Sequence, residues 1–443
     1  MRALSSVPRM RSPEGKAYVR TLVYAALLGV PVAFAAVLFQ TVIHDVIHLV
    51  WEEIPDELGW SEPRGWYVVL VPAVAGLLVA AAVRLPGHGG HSPLEGLGAD
   101  PIPPIALASI LPAALATLGL GLVLGPEAPL IALGLGLGAL AVKVIRMEGT
   151  GAQLLVLAGA FSAVAALFGG PLVAAFLLIE VTAASGKIPA EQIGRALLPG
   201  FVAAGTGAMV FTGVADWPGL HEANLTLPPL PPYETLRLTD VAWCLVMAGV
   251  VSFVIVAIRH LAHRVARDTS VRPVVLLMAA GLGVGVLAVV FRAIADRPVD
   301  LVLFSGQSEL PQVIAEGSAG VLLLLVVTKG LAYALSLGSG FRGGPVFPAI
   351  AIGVAAAMCA ADVLPGLNTT PAVAAGIAAG TTAVLRVPFT AVLLVSLLMG
   401  PSAFDVAPIA VLAAATAWLV AVALPTPEDR AQRKAAEAAA HSA

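Results

Sequence analysis

The chain has 443 residues and a formal net charge of −3; 59% of its residues are hydrophobic, 12% are charged, and the mean hydropathy is +0.95. That charged share is about half the roughly 25% of an ordinary soluble chain, so water is not the solvent for which this surface is written. Two cysteines, Cys244 and Cys359, both in apolar sequence, offer neither a disulfide framework nor a thiolate metal site, and no basic run with interleaved aromatics suggests nucleic acid.

In chain order, the first apolar run is residues 24–43, uninterrupted by charge and too long for a signal-peptide core, which predicts a retained transmembrane helix. Arg2, Arg9, Arg11, Lys16 and Arg20 precede it, whereas the next loop carries Glu52, Glu53, Asp56, Glu57 and Glu62 against Arg64 alone. This bias predicts a cytoplasmic N-terminus in the plasma (inner) membrane. Further spans are expected over 66–83, 275–290 with its flanks, and 407–424. A second basic cluster, Arg259, Arg264, Arg267 and Arg272, is expected in the cytoplasm, and the proline-rich stretch 216–240 outside. Trp51, Trp60, Trp66 and Trp217 fall near the external boundaries, as an interfacial belt would. The expected division is a cytoplasmic segment 1–19, one membrane domain 20–424, and a cytoplasmic tail 425–443 too short to bury a core of its own.

Sliding the sequence against itself exposes a repeat. PLIALG at 129–134 matches PAIAIG at 348–353, an offset of 219, and Gly159, Ala166, Pro171, Ala174 and Leu177 match Gly376, Ala383, Pro388, Ala391 and Leu394 at an offset of 217. Two matches in the same order at nearly one offset imply duplicated halves, about 20–214 and 240–424, joined by an external linker 215–239. If the first half begins in the cytoplasm and the second outside, their topologies are inverted, as in many transporters.

Glycine and proline fall at corresponding places: Gly119, Gly121, Gly125, Pro126 and Pro129 in one half, Gly338, Gly340, Gly343, Gly344, Pro345 and Pro348 in the other. Such residues break helices, and non-helical backbone at membrane depth survives only where protein or a water-filled cavity satisfies its amides. Two broken helices are therefore expected to meet at an internal site. Helix N-termini present unpaired N–H groups and the positive end of the dipole, an environment that favours an anion.

The residues themselves carry a resemblance. GLGLVLGPEAP at 119–129 resembles G-x-G-x-V-L-G-R-E-G-P, SGFRGGPVFP at 339–348 resembles S-G-x-x-G-G-x-F-x-P, and PLVAAFLLIEV at 171–181 resembles P-L-x-G-x-x-F-x-I-E. These are segments of the CLC family of chloride channels and proton-coupled chloride transporters, and the resemblance runs from about residue 20 to 424. It implies an all-α, polytopic, inverted-repeat bundle with broken and re-entrant helices, a homodimer with one pathway per subunit, and chloride or another small anion, with protons, as the transported partners. Glu127 matches the gating glutamate. Gly125, Pro126, Ala128, Gly344, Pro345, Val346 and Phe347 match the anion-binding helix starts. The first helix-start motif, G-S-G-I-P-E, finds its nearest match in GGHSPL at 89–94, where Gly90 takes the place of the anion-contacting serine and His91 and Ser92 lie within two positions. The late tyrosine falls near Ala403 or Phe404, neither of which has a hydroxyl. Pro126 and Ala128 replace the arginine and glycine that flank the glutamate, which removes a positive charge. Glu180 matches the proton-pathway segment, and Val181 after it reads like the channel pattern.

Read without that resemblance, Glu127 is still a sensible gate: a carboxylate is itself an anion, able to sit between helix N-termini and leave when protonated. A helix-start glutamate merely complementing the dipole is the plainer alternative. His44 and His48, one turn apart, and His88 and His91, around two glycines, could each supply two metal ligands but lack a third. Lys329, Arg342 and Arg386 lie in apolar sequence and are expected to pair with carboxylates or helix ends, or for Lys329 to snorkel. No Walker A sequence or other cofactor motif is present, nor a catalytic set for a membrane enzyme. The expectation is anion permeation gated by Glu127, channel-like or proton-coupled, with an inverted-repeat carrier of another small solute as the alternative and a multi-spanning enzyme behind it.

Overall fold

The computed structural model of the chain describes residues 13–98, 100–184, 193–214, 225–269, 273–427 and 429–430. Arg2, Arg9, Arg11, Arg272, Trp217 and the tail beyond 430 lie outside the described residues, as does the side chain of Arg267. The first half contains α1 (Pro13–His48), α2 (Ile54–Glu57), α3 (Gly65–Ala82), α4 (Leu107–Gly119), α5 (Glu127–Ile145), α6 (Thr150–Phe168), α7 (Pro171–Ala184) and α8 (Ile193–Val214). The second contains α9 (Leu238–Thr269), α10 (Pro273–Ala295), α11 (Leu310–Ala315), α12 (Ala319–Gly338), α13 (Val346–Val363), α14 (Thr369–Leu385), α15 (Pro388–Met399) and α16 (Ala403–Ala423).

Among the described residues, nine helical stretches are long and apolar enough to cross a membrane. Their outer faces are apolar too. Val23, Leu27, Val30, Phe34 and Leu38 are exposed along one stripe of α1, and Val275, Met278, Leu282, Val286 and Val290 along one of α10. A stripe of that length facing outward is written for hydrocarbon, since in water it would be an association surface.

Inside, the helices approach closely because their contact positions lack side chains. Gly134 of α5 lies on the Gly159 carbonyl of α6, and Gly159 on that of Gly134; Gly353 of α13 and Gly376 of α14 make the same reciprocal contact in the second half. Gly281 and Gly285 of α10 rest on the carbonyls of Pro72 and Val68 in α3. Backbone-to-backbone packing of this kind is how helices associate where no water drives them together. The duplicated glycines seen in the sequence are thus duplicated contacts, and the predicted helix breaks fall at 120–126 and 339–345.

Candidate functional site

The two breaks meet. The Gly125 amide donates to the Gly344 carbonyl at 2.7 Å and the Gly344 amide returns a bond to the Gly125 carbonyl at 2.5 Å, a two-residue antiparallel bridge between the halves. On either side, the Val123 amide donates to Ser336 Oγ and the Arg342 amide to Thr117 Oγ1, both at 3.1 Å. Those two hydroxyls in turn donate to the Ala332 and Ala113 carbonyls in their own helices, α12 and α4. Every one of these partners has its counterpart 219 residues away. The exchange pairs amides that a broken helix would leave buried without partners. Thr117 and Ser336 were invisible to motif reading, yet the repeat offset alone relates them.

Glu127 opens α5 behind Pro126 and is fully buried. Its Oε1 accepts a hydrogen bond of 2.9 Å from the Phe347 amide in the first turn of α13, while Oε2 is buried with no partner. The carboxylate fills the space that Gly125 and Gly344 leave open, because a Cβ on either glycine would collide with it. The acid of one half therefore sits on the helix N-terminus of the other, where backbone N–H groups and the dipole favour negative charge.

The other sequence-predicted residues divide. Val346 and Phe347 are buried at the start of α13; Phe347 contributes its amide here, while its ring packs on Phe168 at 5.9 Å between centroids. Pro345 caps that helix and its carbonyl accepts from the Tyr333 hydroxyl at 2.6 Å, a buried contact the sequence did not signal. Gly90, Ser92 and Ala128 line one cavity together with Arg342, and Pro345 lines a smaller one with Pro93, Leu94 and Arg259. The Ser92 hydroxyl accepts from the Leu94 amide and so caps a short turn.

One placement corrects the sequence reading. Phe404 is 84% exposed: the turn Gly400–Ser402 precedes α16, in which Ala403 and Val406 face inward and Phe404 faces out. The Glu180 carboxylate accepts from the Phe389 amide at 3.0 Å and from the Thr390 amide at 2.6 Å, with a further bond from the Thr390 hydroxyl, and so caps α15.

The cations are placed as follows. Lys329 does not snorkel: its ammonium lies within 2.9–3.3 Å of four successive carbonyls, Leu301, Val302, Leu303 and Phe304. Phe304 in turn donates its amide to the Gly121 carbonyl in the first break. Arg342 bonds the carbonyls of His88 and His91, and Arg386 bonds the Ala421 carbonyl and the Asp429 carboxylate. His48 pairs with Glu52 and Glu53 on the surface, and Trp51 is buried, its indole donating to the Gly119 carbonyl.

A family model described as voltage gated chloride channel matches residues 94–422. The ion-transport protein YfeO of Escherichia fergusonii is 30% identical over 363 residues, covering 79% of this chain and 81% of that protein. Among solved structures, a slow cyanobacterial Cl⁻/H⁺ antiporter superposes with a TM-score of 0.75 at 17% identity, over 94% of this chain and 98% of its own. A CLC-type fluoride/proton antiporter does so with a TM-score of 0.66 at 18% identity, over 92% and 96%. At those identities the two structures speak to the fold alone.

Proposed function

The chain belongs to the voltage-gated chloride channel family, and on that premise we propose that it passes a small inorganic anion, chloride first, across the membrane along a pathway that Glu127 closes. The observation that carries this reading is the Glu127 carboxylate lying on the Phe347 amide in a cradle of two glycines. Ionised, it is a tethered anion that competes for the site; protonated, it loses the charge that holds it at a helix N-terminus, and a free anion takes its place. Falling pH therefore opens the pathway.

Permeation without obligatory proton exchange is the favoured mode. Val181 cannot carry a proton, and the Glu180 carboxylate before it is committed to capping α15. The dimeric state and the cytoplasmic termini expected from the resemblance and the loop charges belong to the same reading, as does transport in place of catalysis.

The test is anion efflux from liposomes at a series of pH values, with chloride and with fluoride, for the wild type and Glu127→Gln. Wild-type flux is expected to rise as pH falls, and Glu127→Gln to conduct with little pH dependence. Equal pH dependence in the two folded proteins would remove Glu127 from the gate. Protons driven uphill by an anion gradient in the wild type would replace the uncoupled mode with a coupled one.

A further inference from the structure

A loop far from the gate in sequence lies against both segments that form it. Residues 299–306 follow α10, and the carbonyls of Leu301, Val302, Leu303 and Phe304 converge there on the Lys329 ammonium of α12 at 2.9–3.3 Å. Four carbonyls aimed at one point repel one another, and Phe304 is held at φ +57°, a left-handed conformation that a bulky side chain rarely adopts. The turn therefore needs a cation at its centre. Lys329 is buried and supplies one, its three N–H groups shared among the four oxygens.

On one side this turn touches the first break. The Phe304 amide donates to the Gly121 carbonyl at 3.4 Å, and a Cβ on Gly121 would lie 3.5 Å from Leu303 Cδ1 and 2.8 Å from the Trp51 ring. Trp51 closes the contact, its ring meeting Phe304 edge-on at 5.5 Å and its indole donating to the Gly119 carbonyl. On the other side the turn touches α13. At Gly306, with φ +84°, a Cβ would lie 2.5 Å from the Ala351 side chain and 2.9 Å from Lys329 Cε. Gly121 precedes Glu127 by six residues, and Ala351 follows Phe347 by one helical turn. The turn thus spans from the segment that carries the Glu127 carboxylate to the helix whose amide receives it.

We propose that Lys329 is a positioning residue for the gate: by gathering the 301–304 carbonyls it fixes the turn that keeps the Gly121 segment and α13 where Glu127 reaches the Phe347 amide. The proposal rests on the reading of Glu127 as the gate. Lys329 acts through the turn, since its hydrogen-bond partners are the turn's carbonyls and the carboxylates that face it, Asp300 and Glu309, belong to the same loop. Loosening the turn lets the ionised Glu127 carboxylate leave the Phe347 amide more readily. The pathway is then less tightly closed at neutral pH, while its opening in acid is unchanged.

The experiment is liposome anion efflux over a range of pH for the full-length wild type, Lys329→Met and Lys329→Arg, each also combined with Glu127→Gln. Lys329→Met is expected to raise flux at neutral pH, relative to its own flux in acid, about tenfold, the size by which contacts outside a site modulate it. Lys329→Arg keeps the charge and the N–H donors and is expected to restore most of the wild-type profile. In combination with Glu127→Gln, Lys329→Met is expected to leave a flat profile flat. A merely structural lysine would change the amount of folded protein, scaling flux equally at every pH, so an unchanged profile shape in Lys329→Met overturns the proposal. A change of shape that survives alongside Glu127→Gln overturns it too, because Asp300 or Glu309 would then be the titrating group. If Lys329→Met does not fold, Leu303→Ala decides: it leaves the ammonium in place and empties the contact with Gly121, and a wild-type profile in that variant overturns the proposal. A wild type without pH dependence, or one that Glu127→Gln does not alter, sinks the gate reading instead. Hydrogen–deuterium exchange of peptides covering 119–127 and 346–351 then tests the turn by itself: exchange that rises in Lys329→Met or Leu303→Ala supports its hold on both segments, and unchanged exchange removes it.

Discussion

The two halves share a backbone and divide the charge. At equivalent positions, related by offsets of 219 or 217, the second half carries Lys329, Arg342 and Arg386 where the first has Ile110, Val123 and Gly169. The first half carries Glu127 where the second has Val346. Glycine contacts, hydroxyl-to-amide bonds and the bridge at Gly125 and Gly344 recur in both, so the duplicated scaffold needs only small residues and two hydroxyls. The charges are free to differ because the scaffold does not depend on them in the same way on each side. The result is a duplicated scaffold with unlike charges, the buried carboxylate of Glu127 in one half and the three cations, each on its own partners, in the other.

The largest expected consequence of that asymmetry is at Lys329. Lys329→Met strands four buried carbonyls and leaves Asp300 and Glu309 without the cation that faces them. Removing one partner from a buried charged set costs about 3–5 kcal/mol. The mirror change, Ile110→Met, is a volume-conserving swap and should cost less than about 1.5 kcal/mol. Thermal unfolding in detergent compares them; a Lys329→Met protein as stable as Ile110→Met would show that the carbonyl cluster does not depend on the ammonium.

Next in size are the hydroxyls. Thr117→Val and Ser336→Ala each leave a buried amide, of Arg342 and Val123 respectively, without its partner. Each should cost about 1–3 kcal/mol, and by symmetry about the same. A clear inequality in the same unfolding assay would mean that the two breaks, alike in bonding, differ in how far they relax.

These residues also mark how far the sequence could be read. The repeat, the breaks and the meeting of two helix starts were legible because glycine and proline are local signals with few alternatives inside apolar sequence. The place of Glu127 followed from them. What Lys329 and Glu180 bind was not legible, since their partners are mostly backbone groups of segments 25 or more residues away, and backbone carries no sequence signature. Phe404 was misplaced for a related reason: Gly400, at φ +57°, turns the chain just before α16, and that one turn decides which side of the helix faces in. Arg342 was read as a charge in search of a carboxylate or a helix end, whereas its side-chain partners are carbonyls in the 88–91 loop of the other half.

The smallest expected effect concerns the left-handed turns that end α6 and α14. Both halves use the same backbone there, with φ +65° at Gly169 and +61° at Arg386. Glycine adopts it freely, whereas an arginine held left-handed costs about 1–2 kcal/mol. The Arg386 side chain offsets that strain through the Ala421 carbonyl and the Asp429 carboxylate. A hydrogen bond to a charged group contributes about 1.5–3 kcal/mol, so Arg386→Gly should lose only about 1 kcal/mol at neutral pH. Acid narrows that difference. Burial works against ionisation of Asp429, but the Thr426 hydroxyl and amide, with Arg259 and Arg386, hold its carboxyl below the ordinary aspartate range. A carboxyl depressed in the folded state contributes its stability in full above its unfolded pKa, near 3.9, and loses it as pH falls through the lower folded value. Arg386→Gly removes one of the groups responsible, so the variant has less to lose on acidification and the two unfolding curves should converge below about pH 4. The mirror substitution, Gly169→Ala, has no compensating partner and should cost about 1 kcal/mol at every pH. Parallel acid profiles for the wild type and Arg386→Gly would mean that the ion pair with Asp429 is not what holds the second turn in a conformation that the first turn reserves for glycine.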